Sequence, residues 1–292
     1  MEGNVISGKM KICAVIGDPI EHTMSPVIHN AAFKKLGLDY IYVPFRVRKE
    51  ELGQAVEGIR ALNIRGFNVT IPHKVAIMPM LDGLDPLAEK IGAVNTVVNN
   101  DGDLRGYNTD ATGFLQALLE QGVEPRGKNT VVLGAGGASR AVSYILAERG
   151  AHLTILNRQL EMDWAEELAS RISYDFGKEV KALELSFENL AMVMERAEML
   201  INATSVGMSP NSEDTPVPDQ LLKSGLVVCD IVYNPIKTRL LREAEAAGAR
   251  TMGGIDMLIW QGALAFEKWT EQPAPFDLMR KEAIKVLEKR ED

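Results

Sequence analysis

Val131-Val132-Leu133-Gly134-Ala135-Gly136-Gly137-Ala138-Ser139-Arg140 is a short apolar run that breaks into glycines and then opens a helix. It reads as the first strand, phosphate loop and helix start of a nucleotide-binding βαβ unit. The glycines have a steric reason: the turn after the strand is tight, and the backbone must come close enough to a pyrophosphate for its N–H groups to donate. Ala138 stands where the dinucleotide fingerprint wants a third small residue. The following helix carries Ala141, Val142, Ile145 and Leu146 at helical spacing, and Arg149-Gly150 closes it. A second apolar strand, Leu153-Thr154-Ile155-Leu156, ends in Asn157-Arg158. An acidic residue at that tip, roughly 20 residues on, would grip the ribose of NAD. Asn then Arg suits the 2′-phosphate of NADP instead. The plainer alternative is that Arg158 ends a strand in solvent.

The rest of the chain fits around this unit. Its 292 residues are enough for two modest domains, and the net charge of −8 with scattered Lys and Arg argues against nucleic-acid binding. Cys13 and Cys229 each lie inside an apolar run, as buried strand residues do. No His or Cys pair has zinc-ligand spacing, so no metal is implied. The N-terminal residues lack the apolar core of a signal peptide, and no apolar run approaches membrane-spanning length. A cytoplasmic protein without a membrane segment is therefore expected.

Before the phosphate loop, strands alternate with helices. Ile12–Ile16 is a predicted strand, and Ser25-Pro26 starts a helix with a hydroxyl N-cap and proline at its first position. Asp39–Phe45 is a second strand. Lys49–Leu62 is helical, with Ala55, Val56, Ile59 and Leu62 on one face. A third strand, Gly66–Thr70, stops at Ile71-Pro72-His73-Lys74, leaving Asn68, Thr70 and Lys74 at its carboxyl edge, where such sheets gather functional groups. Gly92–Val98 is another strand, turned by Asn100-Asp101-Gly102 into Leu104-Arg105-Gly106-Tyr107, a hairpin signal that makes one strand pair antiparallel. A helix over Ala111–Glu120 leads to a linker at 122–127. Beyond the second strand come a helix around Trp164–Ile172 and strands near Val180–Leu185, Met199–Ala203 and Leu226–Val232, before helices at about 255–269 and 276–287.

The predicted fold class is α/β with two α/β domains, the first with a mixed sheet and the second a Rossmann-type dinucleotide-binding domain. A nicotinamide enzyme that reduces a carbonyl must give a proton to the forming alkoxide. Lys74 and Asp110 are the candidates for that proton handling, since each follows a strand edge and a Lys–Asp pair can tune its own charge. Read blandly, they are an exposed ion pair.

At this point the chain resembles the shikimate dehydrogenase family, from about Ala14 to Trp269. The resemblance is carried by Gly17-Asp18-Pro19-Ile20-Glu21-His22-Thr23-Met24-Ser25-Pro26, Asn68-Val69-Thr70-Ile71-Pro72-His73-Lys74, Gly92-Ala93-Val94-Asn95-Thr96, Gly106-Tyr107-Asn108-Thr109-Asp110, the Gly134 loop, Asn157-Arg158, Asn202-Ala203-Thr204-Ser205-Val206-Gly207-Met208, Tyr233-Asn234-Pro235 and Met257-Leu258-Ile259-Trp260-Gln261-Gly262. It implies a substrate domain of residues 1–112 completed by C-terminal helices over 255–292, a Rossmann-type NADP domain over 113–254 with the active-site cleft between them, and reversible reduction of 3-dehydroshikimate to shikimate by NADPH in the chorismate route to aromatic amino acids. It also implies roles. Thr23, Ser25 and Tyr233 would hold the substrate carboxylate, Thr70, Asn95 and Gln261 the ring hydroxyls, and Lys74 with Asp110 the reacting oxygen. Gly134, Ala135, Gly136, Gly137 and Ala138 would cradle the pyrophosphate and Asn157 and Arg158 the adenosine end. Thr204, Ser205, Val206, Ile231 and Gly254 would line the way to the nicotinamide.

Three departures from the family pattern matter. Thr23 replaces the usual serine of Ser-x-Ser-Pro, adding a methyl group that could alter tolerance for quinate. Asn157-Arg158 is followed by Gln159-Leu160-Glu161-Met162-Asp163 where a second Arg is often found, and a neighbouring carboxylate disfavours a 2′-phosphate, so NAD use is the alternative. His73 precedes Lys74, read as a wall of the site. The rival readings are a quinate/shikimate dehydrogenase using NAD or both cofactors, and a non-catalytic nucleotide-binding regulatory protein. Retention of both Lys74 and Asp110 argues against the second. An exposed apolar helix or strand near the N-terminus could make a homodimer.

Overall fold

A computed structural model describes residues 7–291. Two compact units emerge: the described residues up to Thr109 together with Gly262–Lys285, and Asp110–Gln261 with the residues from Val286 on. Residues 1–6 and 292, which the sequence-based division places at the two ends of the substrate domain, lie outside the described residues. The crossovers fall inside helices rather than in loops, and the expected linker at 122–127 lies within the second unit.

The first unit contains strands β1 (Lys11–Gly17), β2 (Tyr40–Arg46), β3 (Gly66–Val69), β4 (Gly83–Leu84), β5 (Thr96–Asn100) and β6 (Asp103–Tyr107), with helices α1 (Ser25–Lys35), α2 (Leu52–Ala61) and α3 (Pro86–Ile91). They form one mixed sheet of order β2-β1-β3-β5-β6-β4, parallel across β2-β1-β3 and antiparallel across β3-β5-β6. The antiparallel turn comes from Asp101 and Gly102, both at positive φ, which lets two residues join right-twisted strands. Ala14, Ile16, Phe67, Val69, Val97 and Leu104 build the core against Val56 and Ile59 of α2.

Three local expectations are corrected. Met24 rather than Ser25 is the N-cap of α1, because Ser25 already has helical geometry. Leu62 is 74% exposed, since α2 stops at Ala61 and the chain turns away at Asn63. Residues 92–95 are not strand: Gly92, at φ +73°, ends the short helix α3, and β5 begins only at Thr96.

The second unit opens with α4 (Thr109–Glu120), which the boundary cuts after its first residue, and then winds β7 (Asn129–Leu133), α5 (Gly137–Glu148), β8 (His152–Asn157), α6 (Met162–Phe176), β9 (Lys181–Glu184), α7 (Phe187–Met194), β10 (Met199–Asn202), β11 (Val227–Asp230), α8 (Arg239–Ala246) and β12 (Arg250–Met252). All pairings are parallel, in the order β12-β11-β10-β7-β8-β9. That is the doubly wound order, whose reversal between β7 and β10 lies beside the glycine loop. Val131, Leu133, Leu156, Leu200 and Val228 are its buried spine. The chain ends with α9 (Gly254–Thr270) and α10 (Phe276–Glu291). The second half of α9 belongs to the first unit, where buried Phe266 and Trp269 meet Phe33, Tyr42 and His29 of that unit. Trp269 lies so close to Gly66 that a Cβ there would fall 2.2 Å from its ring. Among the described residues no helix is long and apolar enough to cross a membrane.

Candidate active site

The first unit gathers hydroxyls at the start of α1. Thr23 Oγ1 accepts the Ser25 N–H and donates to Ser25 Oγ, both at 3.3 Å. The Ser25 hydroxyl, one residue inside the helix, is thus not used as a cap. A carboxylate here would meet hydroxyl donors together with the positive end of the helix dipole. Behind them the buried Tyr42 hydroxyl donates to Asn68 Oδ1 at 2.7 Å. Burial pushes that phenol well above its usual range, with the Ser25 hydroxyl acting the other way, so Tyr42 stays a neutral donor. Asn68 Nδ2 donates to the Asn95 carbonyl and to Thr96 Oγ1, so Asn68 ties β3 to β5. Thr70 is half-buried at the end of β3, and its methyl lies where a Cβ on Gly17 would fall, which fixes Gly17 as glycine.

Lys74 is half-buried in the loop after β3, and its carbonyl accepts the Val94 N–H at 2.8 Å. His73 beside it is buried, with Nε2 2.7 Å from the Val47 carbonyl, a bond that pins the loop. The next residue after Val94 is Asn95. Its Oδ1 accepts the Thr109 N–H at 2.7 Å and its Nδ2 donates to Thr109 Oγ1 at 2.9 Å. Asn95 therefore starts α4, whose second residue is Asp110, only 5% exposed. The loop of Lys74 and the helix start that bears Asp110 both hang on the 94–95 segment. The compact-unit boundary falls between Thr109 and Asp110, within α4 and three residues before the expected division after residue 112.

In the second unit the glycine loop has the geometry its sequence implies. Gly134 sits at φ +97°, and a Cβ there would lie 3.0 Å from the Thr204 methyl and 3.1 Å from the Ala203 carbonyl. Gly136 is the N-cap of α5, with nothing within 4 Å of its Cβ direction. The first-turn N–H groups of an α-helix have no acceptor within it, so Gly137 and Ala138 present donors beside that open space. Ser139 Oγ donates back to the Gly134 carbonyl and closes the turn. This cradle fits a pyrophosphate. Asn202 Oδ1 accepts from the N–H and hydroxyl of Thr204, its Nδ2 donates to the Val206 carbonyl, and Thr204 Oγ1 accepts the Val206 N–H. The loop bearing Thr204, exposed Ser205 and Val206 is thereby fixed. A Cβ on Gly254 would lie 2.2 Å from the Ile231 carbonyl, so α9 starts directly against the end of β11. Tyr233 is half-buried in the loop that follows; burial raises its phenol above the usual range, opposed by Arg290. Gln261 is buried on α9, its Nε2 on the Leu258 carbonyl, and Gly113 of α4 is needed because the Gln261 backbone nitrogen lies 2.7 Å from where its Cβ would be.

At the tip of β8, Asn157 is buried and donates to the Glu161 carbonyl at 2.7 Å. Arg158 is exposed and forked onto the Glu161 carboxylate, Nε to Oε2 at 2.7 Å and Nη2 to Oε1 at 2.5 Å. That bond holds the Glu161 carboxyl below its ordinary range and raises the guanidinium.

Two supports escaped the sequence reading. Asp230, at the end of β11, accepts from Asn202 Nδ2, the Val232 N–H and Thr238 Oγ1 at 3.0, 3.0 and 2.7 Å, joining the loops after β10 and β11 to the N-cap of α8. Burial pushes its carboxyl up to about 6 against the pull of these donors. An acid closing an apolar strand is the signal that could have marked it. Thr109 is the other, as the residue Asn95 holds.

A doubly wound sheet with a phosphate cradle in one unit, and a mixed sheet with hydroxyls at a helix start in the other, define a two-unit dinucleotide-binding protein. Three family descriptions match it in order: the shikimate dehydrogenase substrate binding domain over residues 15–97, shikimate / quinate 5-dehydrogenase over 117–230, and the shikimate 5'-dehydrogenase C-terminal domain over 254–284. The NADP(+) shikimate dehydrogenase of Methanopyrus kandleri is 47% identical over 285 residues, covering 97% of this chain and 98% of that one. A crystal structure of a shikimate dehydrogenase in complex with NADP+ matches with a TM-score of 0.91 at 42% identity, over 98% of this chain and 99% of that one. Shikimate 5-dehydrogenase from Listeria monocytogenes, in complex with shikimate and NAD, matches at 0.87 and 42%, over 94% and 97%. The chain belongs to the shikimate dehydrogenase family.

Proposed function

We propose that this protein reduces 3-dehydroshikimate reversibly to shikimate with NADPH, in the biosynthesis of aromatic amino acids in the cytoplasm, and that Lys74 and Asp110 handle the proton. A bound NADPH supplies the hydride to the carbonyl carbon. Everything else falls to the chain. Lys74 gives its proton to the oxygen as it gains negative charge, and Asp110 accepts a hydrogen bond from the hydroxyl so formed. Thr23, Ser25 and Tyr233 hold the substrate carboxylate by hydroxyl donors. Thr70, Asn95 and Gln261 hold ring hydroxyls, and Asn95 has a second task, fixing the helix start that bears Asp110.

The observation that carries this reading is the common anchor. One two-residue segment, Val94-Asn95, bonds the Lys74 carbonyl and the Thr109 N–H. A binding protein without chemistry has no use for a shared anchor of a lysine loop and an aspartate helix start. Several neutral donors in fixed places also suit a polyhydroxylated acid, because such a site rejects analogues that lack a hydroxyl.

The test is initial rates over a grid of shikimate and quinate against NADP and NAD, compared as kcat/KM. The expected result is a strong preference for shikimate with NADP. Quinate turned over as well as shikimate would move the protein to the quinate/shikimate branch, and no turnover with any pair would leave a nucleotide-binding regulator. A homodimer is the finer part of the proposal: β2 is an edge strand, and Phe45 at its end and Leu36 after α1 are 42% and 41% exposed. Light scattering giving the mass of one chain would refute it.

A further inference from the structure

Arg158 is the cation at the tip of β8, yet its guanidinium already has an anionic partner. Both ends of the Glu161 backbone are fixed: its N–H donates to the Arg158 carbonyl at 3.0 Å and its carbonyl accepts from Asn157 Nδ2 at 2.7 Å. The carboxylate is the sheltered member of the pair, with 23% of its side chain exposed against 71% for Arg158. Nε and Nη2 of the guanidinium each meet one carboxylate oxygen. A phosphate offers that fork the same pair of oxygens, so carboxylate and phosphate exclude one another there. No Lys or Arg lies between Arg158 and Arg171 in sequence, while Asp163 adds a second negative charge in the first turn of α6. Arg140 of α5 is no substitute, since Glu167 holds its guanidinium bidentate at 3.0 and 3.1 Å.

We infer that Glu161 sets how strongly this chain prefers a dinucleotide carrying a 2′-phosphate: it occupies one bidentate edge of the Arg158 guanidinium and sets a carboxylate beside the phosphate, and so narrows the gap between NADP and NAD. The inference rests on the reading of Asn157-Arg158 as the adenosine end of the cofactor site. Binding NADP requires the phosphate either to displace the carboxylate or to take the other edge of the guanidinium, in both cases with an ionised carboxylate within a Debye length. Binding NAD requires neither. The remaining adenosine contacts are the same for both, so the cost falls on NADP alone.

Isothermal calorimetry with adenosine 2′,5′-bisphosphate and with ADP tests this by binding, without turnover, on wild type, Glu161→Gln, Arg158→Ala and the double variant. Glu161→Gln is expected to tighten the bisphosphate about three- to tenfold and to leave ADP within about twofold, the scale of a solvent-facing ion pair. In the Arg158→Ala background the same change is expected to give a smaller gain. An unchanged bisphosphate-to-ADP ratio in Glu161→Gln, while Arg158→Ala lowers it, overturns the inference and leaves the role of Arg158 standing. A ratio untouched by Arg158→Ala overturns the reading on which it rests. Thermal melting within a few degrees of wild type, with Glu161→Ala as a second variant, keeps loss of fold out of the comparison.

Discussion

His29 lies on α1 with no exposure, stacked on Tyr42 at 4.5 Å between ring centroids and bordered by Trp269 at 5.1 Å, Phe33 at 6.3 Å and Phe266 at 6.4 Å. Neither ring nitrogen has a hydrogen-bond partner among the described residues. Burial alone therefore drives its pKa from 6.5 down to about 3. Its folded pKa is depressed, so the unfolded chain binds the extra proton first. The stability that neutral His29 permits is whole above 6.5 and is lost as the pH falls towards 3. The loss amounts to about 2 kcal/mol at pH 5 and about 3 kcal/mol at pH 4. His29→Leu removes the titration and keeps an apolar side chain of similar volume. Urea unfolding of both proteins at pH 7.5, 5.0 and 4.0 isolates the effect, because every other titrating group cancels in the difference. The variant is expected to gain on wild type by those amounts as the pH falls. Equal slopes for the two proteins would refute the argument.

Other perturbations follow from the same contacts. Asn95→Ala leaves the Thr109 N–H without its acceptor and is expected to lower kcat/KM by about a hundredfold and stability by about 1–3 kcal/mol, with Asn95→Asp recovering part of both; steady-state kinetics and melting read the two. Gly254→Ala puts a methyl group against the Ile231 and Val232 carbonyls, backbone on both sides, and is expected to cost about 2–3 kcal/mol and weaken NADP binding, seen by calorimetry. Asp230 has the opposite linkage to His29. Its folded carboxyl is raised from 3.8 to about 6, so its contribution is whole below 3.8 and falls as the pH rises through 6. Asp230→Asn is expected to abolish that fall, about 3 kcal/mol at most, in unfolding curves between pH 4 and 7.

The phosphate loop and the Asp101-Gly102 hairpin are legible in the sequence because each needs a local conformation that few residues supply. The loop after β10 is legible as a motif but its cause is not: Asn202, Asp230 and Thr238 meet only once β10 and β11 lie side by side. Short elements also escape. α3 has six residues, too few for a helical period, and β12 has three, too few for an alternation. Ser25 looked like a cap because its hydroxyl precedes Pro26; the structure moves the cap one residue back and leaves that hydroxyl for other work. Glu161 was visible as a charge near Arg158, but its grip on the guanidinium depends on the tight turn over 159–161.

The proton-handling role is tested most directly by Lys74→Met, assayed for 3-dehydroshikimate reduction and, on the same preparation, for NADP binding by calorimetry. The expected result is a fall in kcat on the order of a hundred- to ten-thousandfold with the NADP dissociation constant within about twofold of wild type. A kcat within about threefold of wild type would contradict the assignment of Lys74 to the reacting oxygen.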